Sequence, residues 1–382
     1  MARTAACAVA KAGLMRDAVI DMHERRLSMK RTHRVGGRTL APVFALTLLA
    51  GACSTNESAE SAGEGAAGKA SVTIDIGLPT GVTSFANSDV VLAERRGFFR
   101  AAGINVRWKN FRSGVSVVQG VVGGSLDVGG ASIEPVVNAA ARGGGLSIVG
   151  AYADKLTVSM VTPKDIAKPA DLKGKRLGVQ EIGAFREVMT RMVLQDAGLT
   201  RDDVQYVPVD AQAYISALSG GKVQSAILQT EQAFAAQQEN PRLHQLVDLN
   251  ALNPDYFYGA YFVNKKWLSD NRDAAKGFLT AITRAHRFMY ENKAESVPII
   301  AKATGFSEAV INQTYEQLLV KQGVFPVNEG LDPARIQKTI AQMRQYKILE
   351  GNPPADNALV DRSLIGEVVK DLGPMRGDPR WH

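Results

Sequence analysis

The chain has 382 residues, 45% hydrophobic and 22% charged, which is ordinary for a globular protein with room for two or three buried units. Its formal net charge is +7, but residues 1–53 hold nine Lys/Arg against three Asp/Glu, and the other 329 residues carry a net of only +1. A folded body this close to neutral lacks the electrostatic basis for binding nucleic acid.

The only cysteines are Cys7 and Cys53, and the histidines beyond them, His244, His286 and His382, show no metal-ligand spacing. No disulfide in the body, no metal and no cofactor are expected. Arg31, Arg34 and Arg38 precede the apolar run 40–50, followed by Gly51, Ala52 and Cys53. A basic head, a short apolar middle and small residues before a cleavage point form a secretory signal. Eleven residues are too few to cross a bilayer, which takes about 20. The thiol directly after the small residues resembles a bacterial lipobox, which implies that Cys53 receives lipid and becomes the new N-terminus. Ala50 stands where a common lipobox has Leu. Met29-Lys30-Arg31 is the expected translation start, with 1–28 an annotation overrun and 29–52 the lipoprotein signal peptide. Residues 53–70, rich in Ser, Glu, Ala and Gly, form a flexible tether.

From Ser71 strand and helix signals alternate. Strands are expected at 72–78, 104–108, 126–130 and 146–151, with helices at 88–96, 114–122 and 133–142. A second run places strands at 176–180, 204–208, 225–228 and 259–263, with helices at 184–197, 214–219 and 232–238. The remainder is mainly helical: 272–293, 294–303, 307–319, 333–346 and 361–372. This is an α/β protein with parallel strands between helices.

Ligands of such sheets sit beyond the carboxyl ends of strands, where helix N-termini offer unpaired N–H groups. Small polar residues recur at those ends, in Ser113-Gly114, Gly129-Gly130-Ala131-Ser132, Gly183-Ala184 and Gln229-Thr230. They point to a cleft. No Gly-x-Ser-x-Gly elbow and no phosphate-binding Gly-x-x-x-x-Gly-Lys appears, so catalysis is not expected.

The stretch 93–106, AERRGFFRAAGINV, resembles the opening segment of ABC-transporter solute-binding proteins of the nitrate/sulfonate/taurine and thiamine-pyrimidine-precursor (NMT1-like) group. VVGGSLDVGGA at 121–131, PADLKGKRLGV at 169–179 and ALSGGKVQSAIL at 217–228 are similar to further segments of that family. The resemblance covers about 72–290. It implies the type II periplasmic-binding-protein fold, two lobes around a cleft with hinge strands and a helical C-terminal part. Lobe 1 would comprise 71–157 and 260–382, and lobe 2 158–259, with hinges near 157–160 and 257–259. It further implies a monomeric, lipid-anchored, extracytoplasmic protein that closes on a small-molecule solute and hands it to an ABC permease with its ATPase.

The candidate ligand-binding residues are Ser84, Phe85, Arg112, Ser113, Gly114, Ala131, Ser132, Glu134, Glu181, Gly183, Ala184, Phe185, Gln229, Thr230, Glu231 and Tyr258. Asp127 and Asp171 are expected to fix turns. Sulfonate and nitrate binders of the family place Ser or Thr at the first helix of lobe 2, where this chain has Ala184. With Glu134, Glu181 and Glu231 near the cleft, close-range repulsion disfavours a small anion. Phe85, Phe185, Tyr256, Phe257 and Tyr258 would stack on a flat or apolar solute. The expected ligand is therefore organic, nitrogenous or aromatic. Arg112 and Arg186 are the residues able to reverse that expectation by pairing with an anion. Enzymes on the same fold form the second reading, and those of the pyrimidine-forming and desulfinating type depend on a Cys or His near the cleft.

Overall fold

The computed structural model describes residues 71–79 and 84–378. The expected signal peptide, Cys53 and the tether lie outside them. Ten strands occur among the described residues: β1 (Val72–Leu78), β2 (Ile104–Asn110), β3 (Val128–Ser132), β4 (Leu146–Ala153), β5 (Val158–Pro163), β6 (Arg176–Val179), β7 (Gln205–Pro208), β8 (Ser225–Gln229), β9 (Leu243–Asp248) and β10 (Gly259–Asn264). They build two five-stranded sheets, ordered β2-β1-β3-β10-β4 and β7-β6-β8-β5-β9. Alternating strands and helices yield parallel pairs, β1 with β2 and β3, and β6 with β7 and β8. The exception in each sheet is the strand supplied as the chain passes between lobes. β5 runs antiparallel to β8 and β9, and β10 antiparallel to β3 and β4. Both sheets are therefore mixed.

Two strands differ from expectation. Residues 158–160, read from sequence as hinge, belong to β5, whose first five residues are all buried. β9 carries His244 and Gln245, which mask its alternation. It pairs only with β5, so one of its edges has no ladder partner to demand apolar side chains. The chain crosses between the sheets at 154–157 and again at 249–258.

The helices that matter for function follow strands: α1 (Ser88–Arg95), α2 (Gly114–Val122), α3 (Ile133–Ala141), α4 (Phe185–Asp196), α5 (Tyr214–Ser219) and α6 (Thr230–Glu239). Beyond β10 come α7 (Arg272–Glu291), α8 (Lys293–Thr304), α9 (Glu308–Tyr315), α10 (Pro333–Gln345) and α11 (Arg362–Leu372), which pack mainly around the first sheet. A π-helical stretch, Glu316–Gln322, continues α9. One apolar core runs through lobe 1 into the face of the second sheet that carries Leu177 and Ile227 against Met189 and Val193 of α4. The other face holds a smaller cluster with Val161, Val209, Tyr214, Leu218 and Leu228.

Three carboxylates outside the cavity are paired within this frame. Asp89 at the start of α1 accepts from Tyr261 Oη (2.7 Å) and lies 3.1 Å from His286 Nε2, while His286 Nδ1 is 2.7 Å from the Pro326 carbonyl. Asp127 Oδ2 accepts from Asp75 N (2.8 Å), and Asp171 from the N–H groups of Ala167 and Lys168. Both carboxylates hold backbone in place. Among the described residues, no helix is long and apolar enough to cross a membrane, and no three His, Cys, Asp or Glu gather as for a metal.

Candidate functional site

Four helix N-termini meet at one cavity between the sheets, two from each lobe. Gly114 opens α2 and Ser132 caps α3 from lobe 1; Phe185 opens α4 and Gln229 caps α6 from lobe 2. The cavity is small, about 40 Å³, with space for a few waters or one compact group. Each of these helices has 9 residues or more and turns the partial positive charge of its N-terminus to the cavity, although Ile133 N of α3 and Thr230 N of α6 already donate to the Tyr258 and Thr157 carbonyls (2.9 and 3.0 Å), and Ser116 N of α2 to Ser113 Oγ (3.4 Å). Ala184 makes no side-chain cap on α4, so no capping side chain takes up the first N–H groups of that helix.

Arg186, in the first turn of α4, borders the cavity with a side chain 2% exposed. Its guanidinium donates to the Ile227 carbonyl and to Gln232 Oε1 (3.0 Å), and stacks 4.4 Å above the Tyr214 ring. Among the described residues no carboxylate lies within salt-bridge distance of it. Burial pushes its pKa down from the usual arginine value, while Tyr214, Tyr258 and Glu231 act in the opposite direction. A buried guanidinium remains charged and calls for compensating negative charge.

Aromatic rings form the hinge side. Phe185 lies 4.6 Å from Tyr258, and Tyr258 5.4 Å from Tyr152, all three bordering the cavity. The Tyr152 hydroxyl donates to that of Tyr258, which also receives Gln229 Nε2 (3.0 Å), while Gln229 Oε1 accepts from Thr157 Oγ1 (2.8 Å). Tyr152 reaches this position because Gly259 lies beneath it: a Cβ there would fall 2.0 Å from the ring.

Of the candidate residues, Ser84, Gly114, Ser132, Phe185, Gln229 and Tyr258 border the cavity. The three glutamates do not. Glu134 is fully buried, accepts from Tyr256 Oη (2.6 Å), and is pushed above the ordinary carboxylate pKa by burial. Glu231 Oε1 accepts from Ser84 Oγ and Phe85 N, both 3.1 Å, and burial raises its pKa too. Glu181 accepts from Ser113 Oγ. The last two are contacts between lobes, and with Gln180 Nε2 on the Arg112 carbonyl (2.9 Å) they hold the cleft shut.

Arg112 is an exposed rim residue 3.5 Å from Asp210. Phe85, Tyr256 and Phe257 are fully buried core side chains, so they are not free to stack on a solute. Ala131 is buried in β3, Gly183 donates to Glu187 Oε2 (3.0 Å), Ala184 precedes α4, and Thr230 bonds the Thr157 carbonyl (2.9 Å). Gly129 and Gly130 make room for Phe262 and Leu78, not for a ligand. Sequence reasoning left Pro79, Ala86, Asn87, Tyr152 and Gln180 off the cavity wall. A polar residue directly after β6 was the available signal for Gln180; Tyr152, inside an apolar strand, gave none.

The family description "NMT1/THI5 like" matches residues 85–296. The chain belongs to that family. A binding protein of Brucella abortus (strain 2308) is 27% identical over 216 residues, 56% of this chain and 67% of the relative. A protein of Escherichia coli (strain K12) named for binding aliphatic sulfonates is 27% identical over 214 residues, 54% of this chain and 64% of that one. Among solved structures, the alkanesulfonate-binding protein from Xanthomonas axonopodis pv. citri bound to MOPS superposes with a TM-score of 0.61 at 20% identity, covering 79% of this chain and 99% of that one. The NMT1/THI5-like chain thus has the two-lobed fold of periplasmic binding proteins, α/β with a helical C-terminal part.

Proposed function

We propose that this chain is the extracytoplasmic solute-binding component of an ABC importer, and that its solute carries a compact oxyanion. The observation that carries the reading is Arg186, a buried guanidinium on the cavity wall with no carboxylate partner among the described residues, placed where four helix N-termini converge. An oxyanion supplies the missing charge and accepts from the first N–H groups of α4. The repulsion expected from Glu134, Glu181 and Glu231 loses its force because each points its hydrogen bonding elsewhere and burial favours the neutral form of Glu134 and Glu231. Relatives named for binding sulfonates support the same class.

In this reading residues 71–157 and 260–382 act as lobe 1 and 158–259 as lobe 2. Solute bridging the helix ends of both lobes favours the closed state, and a permease takes the solute from that state. Lipid on Cys53 would keep the monomer at the membrane. Fatty-acid labelling that persists in Cys53→Ser would remove the anchor from this account.

The test is calorimetric titration of residues 71–382 with ethanesulfonate, nitrate and a neutral aminopyrimidine. At least one oxyanion should bind without being consumed, and Arg186→Gln should weaken it roughly 10- to 100-fold. Binding of the pyrimidine and of neither anion would overturn the oxyanion reading, and turnover of the bound solute would overturn the transport reading.

A further inference from the structure

A second space, of about 150 Å³, lies where the chain first crosses between the lobes, and it is larger than the solute cavity. Gln229 borders the cavity and its neighbour Thr230 borders this space, with Thr230 tied to the Thr157 carbonyl by both its N–H (3.0 Å) and its hydroxyl (2.9 Å). Lobe 2 supplies Phe234 of α6 and Asp248 at the end of β9, and lobe 1 supplies Gln317 and Gln322. The two glutamines belong to the π-helical stretch that continues α9. In an α-helix, residues five apart point roughly 140° away from each other at 3.6 residues per turn. The wider π turn, closed by bonds between residues five apart, brings them to one side, and such departures from the α-helix are frequent at functional sites.

Three features of the walls attract positive charge. Asp248 Oδ1 accepts from the N–H groups of Asn250 (2.9 Å) and Ala251 (3.3 Å), but among the described residues no Lys, Arg or His lies within salt-bridge distance of this half-buried carboxylate. Gln322 Oε1 is buried and has no donor among the described residues, which costs free energy until one is supplied. Phe234 is half-buried yet belongs to neither apolar core, so its ring is left to the wall of this space. An aromatic face attracts a cation electrostatically. Lys155 does not line the space; its Nζ donates to the main-chain carbonyls of Gln322 and Gly323 (2.9 and 3.0 Å).

We propose that this space is a second binding site, which takes a small organic ammonium ion. The N–H groups of such an ion serve the Gln322 and Asp248 oxygens, its charge compensates the carboxylate, and its carbon atoms rest on Phe234. An anion would meet the unpaired charge of Asp248, and a neutral alcohol would leave that charge uncompensated. The site shares no lining residue with the solute cavity, so the inference does not depend on which solute the cavity holds.

The test is calorimetric titration of the full chain with propylammonium, and with 1-propanol and propionate as its neutral and anionic counterparts. Propylammonium should bind saturably and the other two should not. Asp248→Asn, which keeps an oxygen to cap the helical turn after β9, should weaken propylammonium roughly tenfold or more. Phe234→Leu, which keeps apolar bulk but removes the ring, should weaken it roughly two- to fivefold. Arg186→Gln, in the solute cavity, should leave it unchanged. No saturable binding of propylammonium would overturn the site, as would equal affinity in the wild type, Asp248→Asn and Phe234→Leu. Binding of 1-propanol or propionate as tight as that of the amine would overturn the ligand class. Loss of amine binding in Arg186→Gln would put the amine in the solute cavity and overturn a second site.

Discussion

Gly259 has no side chain because the Tyr152 ring occupies the space a Cβ would need. Gly259→Ala should displace Tyr152, lower stability by about 1–3 kcal/mol and weaken solute binding together, read from urea unfolding and calorimetry. Unchanged binding in a folded Gly259→Ala protein would show that Tyr152 is not part of the cavity's function. Burial holds the pKa of Glu134 in the folded protein above the ordinary carboxylate value. The folded state then binds more protons than the unfolded one from near pH 4.5 up through the folded pKa, so stability falls as pH rises across that window. Glu134→Gln should flatten this slope and raise stability at pH 7.5 relative to wild type. An equal change in unfolding free energy between pH 5 and pH 7.5 for the wild type and the variant, read from urea titrations, would contradict it. Nothing in the sequence separates Glu134 from a solvated loop carboxylate, because its burial comes from Tyr256, 122 positions away.

At the scale of elements, α11 completes lobe 1 from the far end of the chain. Val360 bridges to Ile148 of β4, and Leu359, Leu364, Ile365, Val368 and Val369 are all buried. Each contributes about 1.5–3 kcal/mol, on the order of 10 kcal/mol together, which is comparable to the stability of a whole domain. A chain ending at residue 354 should therefore fail to fold, seen as aggregation and loss of a cooperative melt; a soluble, cooperatively melting truncation would mean the helix is dispensable. The helices of this region were legible from their periodicity, and α2, α4 and α6 from small or polar residues before an apolar run. β5 and β9 were less so. A strand formed by the crossing segment takes its partners from sequence more than 60 residues away in β8 and 80 or more in β9, and local pattern carries no trace of them.

For the whole molecule, the balance between open and closed arrangements lies in a few contacts that bridge the cleft. Ser84 and Phe85 N meet Glu231 on one side, Ser113 meets Glu181 on the other, and Arg191, held by Glu187, donates to the Lys347 carbonyl (3.1 Å). Lys347 is the only non-glycine residue of positive φ among the described residues, at 54°, an arrangement that costs free energy and that the contact with Arg191 helps to hold. Replacing both Glu181 and Glu231 by Ala should shift the solute-free protein towards the open form. Small-angle scattering should report a larger radius of gyration that returns to the wild-type value when solute is saturating. An identical radius without solute would show that these hydrogen bonds do not set the equilibrium.

The sequence by itself determined the class of fold, and it pointed to several of the residues that border the candidate cavity. Periodicity, turn glycines and the family's segments are local, and strand-end loops of an α/β sheet face a cleft whatever their exact composition. It also placed the basic excess in the first 53 residues, and so argued against nucleic acid. Tertiary structure decided which side chains face the cavity, and the proposal of an oxyanion in place of a nitrogenous or aromatic ligand rests on that placement. The reason is that a carboxylate near a cleft repels an anion only if it is charged and free. Whether Glu231 is either depends on Ser84 and Phe85, which lie almost 150 residues earlier in the chain. Arg186 could be named from its position, but its burial against Tyr214, Ile227 and Gln232, with no carboxylate partner among the described residues, appears only in the folded chain.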